Sequence, residues 1–170
     1  LVNGMPVSRR QYFYDAVHRR TQAWMEDGSV WKYDYNDRNE LVAGKRHWRD
    51  WMPVPGQQFE YAFDPIGNRT QTKAGGDEQG QSLREADYVN NAANEITSRE
   101  VPGAVDVLGV ADATAAVTVE GSAAYQRDGY FHRAVPVSNG SAALYASATV
   151  VASQGGDQAT DSGYSVVPAA

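Results

Sequence analysis

The sequence predicts an all-β protein, and three observations predict it. Short stretches alternate apolar and polar residues at period two, as in Val117-Thr118-Val119 and Ala146-Ser147-Ala148-Thr149-Val150. A ten-residue unit recurs along the N-terminal part. The C-terminal part carries 16 Ala among its 70 residues, yet interleaves them with Val, Thr, Ser, Gly and Tyr instead of spacing them as a helical stripe.

The recurring unit is Tyr12 to Thr21, then Tyr33 to Val42, Tyr61 to Thr70 and, less completely, Tyr88 to Thr97. Its first and third positions are aromatic in three of the four copies. Two such residues share one face of a strand, because side chains alternate along it. The fourth position is Asp15, Asn36, Asp64 or Asn91. Such side chains accept hydrogen bonds from backbone N–H groups two residues on and start turns. The seventh position is His18, Asn39, Gly67 or Asn94, residue types that take positive φ more readily than most. Each unit therefore reads as strand, tight turn and return strand, and four of them build an antiparallel sheet. One such hairpin is too small to stand alone.

The units resemble the YD repeats of the RHS family. Tyr61-Ala62-Phe63-Asp64-Pro65-Ile66-Gly67-Asn68-Arg69-Thr70 follows the family's Y-x-Y-D-x-x-G-N-R-T form. Asp27-Gly28-Ser29 before Trp31-Lys32-Tyr33 is similar to the linker that precedes a unit. The resemblance covers roughly residues 9–100. It implies a secreted or cell-surface bacterial protein whose repeats spiral into a hollow β-shell, often around a C-terminal toxin.

Val101-Pro102-Gly103 marks a break, since Pro and Gly punctuate elements. We expect a hairpin region over residues 1–100 and a β-sandwich over 101–170. In the second region, strands are expected at Ala104–Gly109, Ala116–Glu120, Tyr130–Val137, Ala142–Ser153 and Tyr164–Val167, with hairpin turns at Glu120-Gly121 and Asp128-Gly129. Val117-Thr118-Val119-Glu120-Gly121, then Ala124 and Gly129-Tyr130-Phe131, is similar to bacterial immunoglobulin-like domains. The region is slightly short for a full sandwich, which leaves two alternatives, pairing with the repeat sheet or truncation; an incomplete sandwich would leave a strand edge open. Ala74 to Ser82 reads as a flexible surface loop.

Composition narrows the function classes. The chain has 170 residues, a net charge of −6 and no Cys. There is no disulfide framework and no thiolate metal site. The acidic balance argues against nucleic-acid backbone binding and a polybasic membrane anchor, and no apolar run is long enough to span a bilayer. Leu1 in place of an initiator Met reads as the start of an excised or processed fragment. Residues 101–170 hold two Arg, no Lys and six acids, against 13 Lys+Arg and 15 acids before them.

All four Trp lie between residues 24 and 51. Trp24, Trp31, Trp48 and Trp51 either pack the sheet or form an exposed stacking platform for sugar rings. His18, His47 and His132 are not spaced as metal ligands, and His18 falls on the turn position of its unit. Gly75-Gly76-Asp77-Glu78 resembles the start of the diguanylate cyclase signature, but no βαβ pattern surrounds it, so a loop is expected. Asp64-Pro65-Ile66-Gly67 resembles the D-P-x-G-L signature at the end of RHS cores, where some members cleave themselves. Asn68 stands in place of Leu, and turn chemistry is the expectation. Asn68-Arg69-Thr70 and Asn139-Gly140-Ser141 are formal glycosylation sequons. The carboxylates Asp27, Asp34, Asp37, Glu40, Asp50, Glu60 and Asp64 read as turn and surface groups.

The expected function is structural: a scaffold or shell-wall segment with no catalytic, cofactor or metal residues. Its expected partners are neighbouring repeats, an encapsulated toxin or a surface glycan. The alternative is a carbohydrate-binding or adhesive module.

Overall fold

Every element of the computed structural model, which describes residues 9–170, is a β-strand. The strands are β1 (Gln11–Tyr14), β2 (Arg20–Trp24), β3 (Val30–Tyr35), β4 (Leu41–His47), β5 (Pro53–Phe63), β6 (Arg69–Gly75), β7 (Leu83–Asn90) and β8 (Ile96–Arg99). They follow one another in the sheet in chain order, with no crossover. After them come β9 (Ala104–Val110), β10 (Ala116–Val119), β11 (Ser122–Ala123), β12 (Tyr125–Arg127), β13 (Tyr130–Pro136), β14 (Leu144–Gln154) and β15 (Asp157–Val167). No helix is long and apolar enough to cross a membrane among the described residues. The chain divides into two compact units between Glu85 and Ala86, inside β7. The composition break at Val101–Gly103 falls between β8 and β9.

The four recurring units are the four hairpins β1–β2, β3–β4, β5–β6 and β7–β8. Their turns are built alike. Asp15 Oδ1 accepts from the N–H of Val17 and Arg19 at 3.0 and 2.9 Å. Asn36, Asp64 and Asn91 accept from the residues two and four positions on in the same way. The seventh residue has positive φ in every copy: His18 64°, Asn39 64°, Gly67 93° and Asn94 61°. The turn roles expected of the fourth and seventh positions, His18 included, are those observed. One feature was not legible: the register slips at the same place in each hairpin, between Phe13 and Tyr14, Asp34 and Tyr35, Ala62 and Phe63, and Val89 and Asn90. The extra residue is the tenth of the unit, Thr21, Val42, Thr70 or Thr97, a bulge on the return strand three residues past the left-handed one.

The three intervening turns use the same hydrogen bonds. Met25 N–H donates to Ser29 O, Trp48 N–H to Met52 O and Asp77 N–H to Gln81 O. Their left-handed residues are Gly28, Trp51 and Gly80. This corrects the expectation of a flexible loop over Ala74 to Ser82. Gly75 and Gly76 are buried, and Asp77 Oδ1 accepts from the N–H of Gln79 and Gln81. Composition suggested mobility, but here glycine serves close approach. A Cβ on Gly76 would stand 2.9 Å from Gln58 Cγ.

Buried Gln58 closes a second irregularity. The β4–β5 register slips between Lys45 and His47, freeing carbonyls from the ladder. Gln58 Nε2 donates to Arg46 O at 2.7 Å and Val54 O at 3.0 Å. The side chain is 1% exposed and replaces ladder bonds with its own.

In the second unit, β11-β10-β14-β15 form a four-stranded sheet and β12-β13-β9 a three-stranded one. Val117, Val119 and Phe131 form the buried core between them, flanked by Val107, Val135 and Val150. The expected strands are present, although β15 begins at Asp157 and not at Tyr164. Glu120-Gly121 and Asp128-Gly129 are two-residue turns with positive φ throughout. Gly155-Gly156 joins β14 to β15 in the same way. Gly109 lets the Phe131 ring lie across the strand, since a Cβ there would come within 2.8 Å of Phe131 Cζ.

Candidate functional site

The sheet of the first unit has two chemically distinct faces. Strand register places Ala23, Trp31, Arg46, Tyr33, Gly44 and Phe59 on one of them. Trp31 stacks on Tyr33 and Phe59 with ring centroids 6.4 and 6.0 Å apart. Arg46 lies directly opposite Trp31, where it donates to Ser29 Oγ, Gln57 Oε1 and Asp27 Oδ2. The opposite face carries Phe13, Gln22, Trp24, Lys32 and Lys45. There the Lys45–Glu60 and Lys73–Glu85 ion pairs cross neighbouring strands.

The four tryptophans thus do not form one platform. Trp31 belongs to the aromatic face. Trp48, 7% exposed, is the first residue of a turn and is buried. Trp24 and Trp51 lie together, edge to face at 6.3 Å, with Phe13 6.5 Å from Trp24. Trp51 is 50% exposed at φ 69°. Lys32 Nζ is 5.7 Å from its ring centre and the His47 ring is 6.3 Å away. Burial holds the His47 pKa below its ordinary 6.5, against the pull of its bond to Lys45 O, and the nearby lysine charges add to the lowering. The left-handed position of Trp51 was missed in the sequence. Asp50 was the available signal: like Asp27, it accepts from the N–H two residues on.

A second arrangement was also not foreseen. Arginines tie the hairpins together at the turn end of the sheet. Arg19 pairs with Asp15 at 2.7 Å and reaches Asn39 Oδ1 in the next hairpin at 2.8 Å. Arg38 pairs with Glu40 and reaches Asp64 O in the third hairpin at 2.6 Å. Within hairpins, Arg20 lies over Tyr12 at 4.2 Å and Arg69 over Tyr61 at 4.9 Å. Tyr35 Oη donates to Arg20 O, joining the first hairpin to the second. In the first and third units, the Tyr at position one and the Arg at position nine therefore form a cross-strand cation–π pair.

The remaining candidates have local roles. Asp64-Pro65-Ile66-Gly67 is a turn, as expected, and Asp77 and Glu78 belong to the turn described above. His132 Nε2 lies 2.8 Å from Asp106 Oδ1 on the three-stranded sheet. Asn139 is 3% exposed, and its Nδ2 donates to Val101 O and Pro168 O. That amide is occupied in the folded chain, so the second sequon marks a structural tether.

An all-β chain of repeated Asx-turn hairpins followed by two small sheets is the class these observations define. No protein-family model matches the chain, and a search of curated proteins finds no match.

Proposed function

We propose that this chain is a scaffold or shell-wall segment of a secreted or cell-surface bacterial protein of the RHS/YD-repeat type. In this reading residues 101–170 are an immunoglobulin-like module that follows the repeats in the chain, and the work is enclosure and display, without a catalytic step. The observation that carries the proposal is the turn-to-turn arginine linkage of equivalent hairpins. The first and second hairpins each bond their own strands and also hold the turn of the next, a linkage that lets such a structure grow by adding units. Neighbouring repeats are its immediate partners, and a toxin is the cargo that the resemblance suggests. The test is to read the parent gene on both sides of this segment. Further repeat copies upstream and an unrelated domain downstream are expected. A start codon directly before Leu1 with a stop directly after Ala170 would overturn the proposal.

The Trp24–Trp51 pair favours a second reading, carbohydrate binding. A bulky residue at positive φ is costly, and this one is exposed beside another indole. Titration with neutral and acidic oligosaccharides, followed by tryptophan fluorescence and acrylamide quenching, tests it. A saturable change lost in Trp51→Gly supports glycan binding, and no change with any saccharide removes it.

A further inference from the structure

The second unit holds a cleft that neither reading uses. It measures about 940 Å³ and lies between the two sheets. That is near the upper end of the roughly 300–1,000 Å³ usual for ligand sites. One wall is Val105, Val107, Gly109 and Val135, and the other is Ala146 and Ala148 of β14 with the facing part of β15. Register sets Ala146 opposite Ser165, Ala148 opposite Gly163 and Val150 opposite Asp161. Val150 and Ala152 close on the core, but the small residues beyond them leave the space unfilled.

Two further features bear on the occupant. Both β9 and β15 are edge strands, each with one neighbour among the described residues. Each therefore directs a row of backbone N–H and C=O groups outward. The charged residues lining the cleft are Asp106, Asp112, Asp157 and Asp161, with no Lys, Arg or His among the described lining residues. Asp106 is engaged by His132, whereas Asp157 and Asp161 are exposed along β15.

We propose that this cleft is a strand-acceptor groove for an extended basic peptide segment of a partner protein. The segment pairs with the free edge of β15. Asp157, Ala159, Asp161 and Gly163 share the cleft-facing side of β15, since Asp161 and Ala159 pair with core-facing Val150 and Ala152. The segment's cleft-facing set therefore carries small apolar side chains beside Ala159 and Gly163 and Lys or Arg beside Asp157 and Asp161. An open edge offers hydrogen bonds that only an extended backbone matches in register. The lining of Ala, Gly and Val leaves room for side chains of valine size. The acidic rim selects the charge of the occupant. A second copy of β15 fits poorly, because that strand carries Asp157 and Asp161 and no cation.

The test uses the intact chain and a fluorescein-labelled Val/Lys peptide of about ten residues, a repeated Thr-Val-Thr-Lys, in which one alternating set is Thr and the cleft-facing set is Val and Lys in turn, followed by anisotropy. Saturable binding is expected, at least about tenfold tighter than for the Val/Glu counterpart and weakened by salt. The variant D157K/D161K should reverse the preference between the two peptides. These positions are exposed, so the fold is retained, as circular dichroism will check. Ala148→Phe should weaken binding by filling the cleft. Methylating one alternating set of peptide amides should abolish it. Three results would overturn the proposal: no saturable binding of the Val/Lys peptide, equal binding when either amide set is methylated, or no response to charge reversal. Uptake of lauric acid without charge dependence, in place of the peptide, would also overturn it in favour of a small apolar ligand.

Discussion

Single residues show where backbone conformation dominates. Gly67 has φ 93°, beyond the 61–64° of the residues at the equivalent positions, and a Cβ there would stand 3.2 Å from Glu40 Oε1. We expect Gly67→Val to cost about 1–3 kcal/mol. Gly67→Asn should cost less, because Asn39 and Asn94 occupy the same site in their hairpins. Thermal melting of the two variants checks this, and equal effects would argue against the equivalence of the turns. Trp51 presents the reverse case. Relief of left-handed strain, about 1–2 kcal/mol, offsets the lost aromatic contact of about 0.5–1.5 kcal/mol. Trp51→Gly should therefore leave the melting temperature nearly unchanged while removing the exposed ring. Gln58→Leu should destabilise by about 1–3 kcal/mol, since it strands the carbonyls of Arg46 and Val54.

At the scale of the element, the turns make the sheet sensitive to acid. Asp15 is held below its ordinary pKa of 3.8, chiefly by the bond from the Arg19 side chain. Asp77 is lowered mainly by the N–H of Gln81. At Asp64 desolvation pushes upward, but the Asn68 side chain and the N–H groups of Asn68, Ile66 and Gly67 outweigh it. A folded pKa below the unfolded one means that the unfolded chain binds more protons between the two values. The stabilisation is complete above 3.8 and is lost as pH falls through the folded values. Thermal midpoints should therefore be flat from neutral pH to about 5 and then drop steadily on further acidification. Replacing Asp15, Asp64 and Asp77 together by Asn should flatten that drop. Asn36 and Asn91 already provide the same acceptor without a charge.

For the whole molecule, the location of the tryptophans supplies a probe. All four lie within residues 24–51, so indole fluorescence reports on the first unit alone. Phe131 is buried in the core of the second unit. We expect Phe131→Ala to cost that unit about 3–5 kcal/mol. The transition seen by circular dichroism should move further than the one seen by tryptophan fluorescence. Identical shifts by both probes would mean that the two units unfold as one.

The all-β class, the four hairpins and their turn residues were legible because each depends on neighbours in the chain. An Asx side chain reaches an N–H two residues on, and His18, Asn39, Gly67 and Asn94 carry their φ preference with them. The Glu120-Gly121 and Asp128-Gly129 turns were legible for the same reason, and the Gly155-Gly156 turn was not expected. Most of the Trp assignments were not, because a face depends on register, and the β4–β5 slip and the bulge in each hairpin reset register at points the sequence does not mark. Gly75 and Gly76 illustrate the same limit: composition reads as loop, and only the approach of Gln58 and Arg84 makes them buried. Local chemistry alone determined which residues turn the chain. Tertiary structure decided what meets across it: the arginine links between hairpins, the separation of the tryptophans and the open cleft. Those contacts join residues far apart in sequence, and their geometry exists only once the strands have paired.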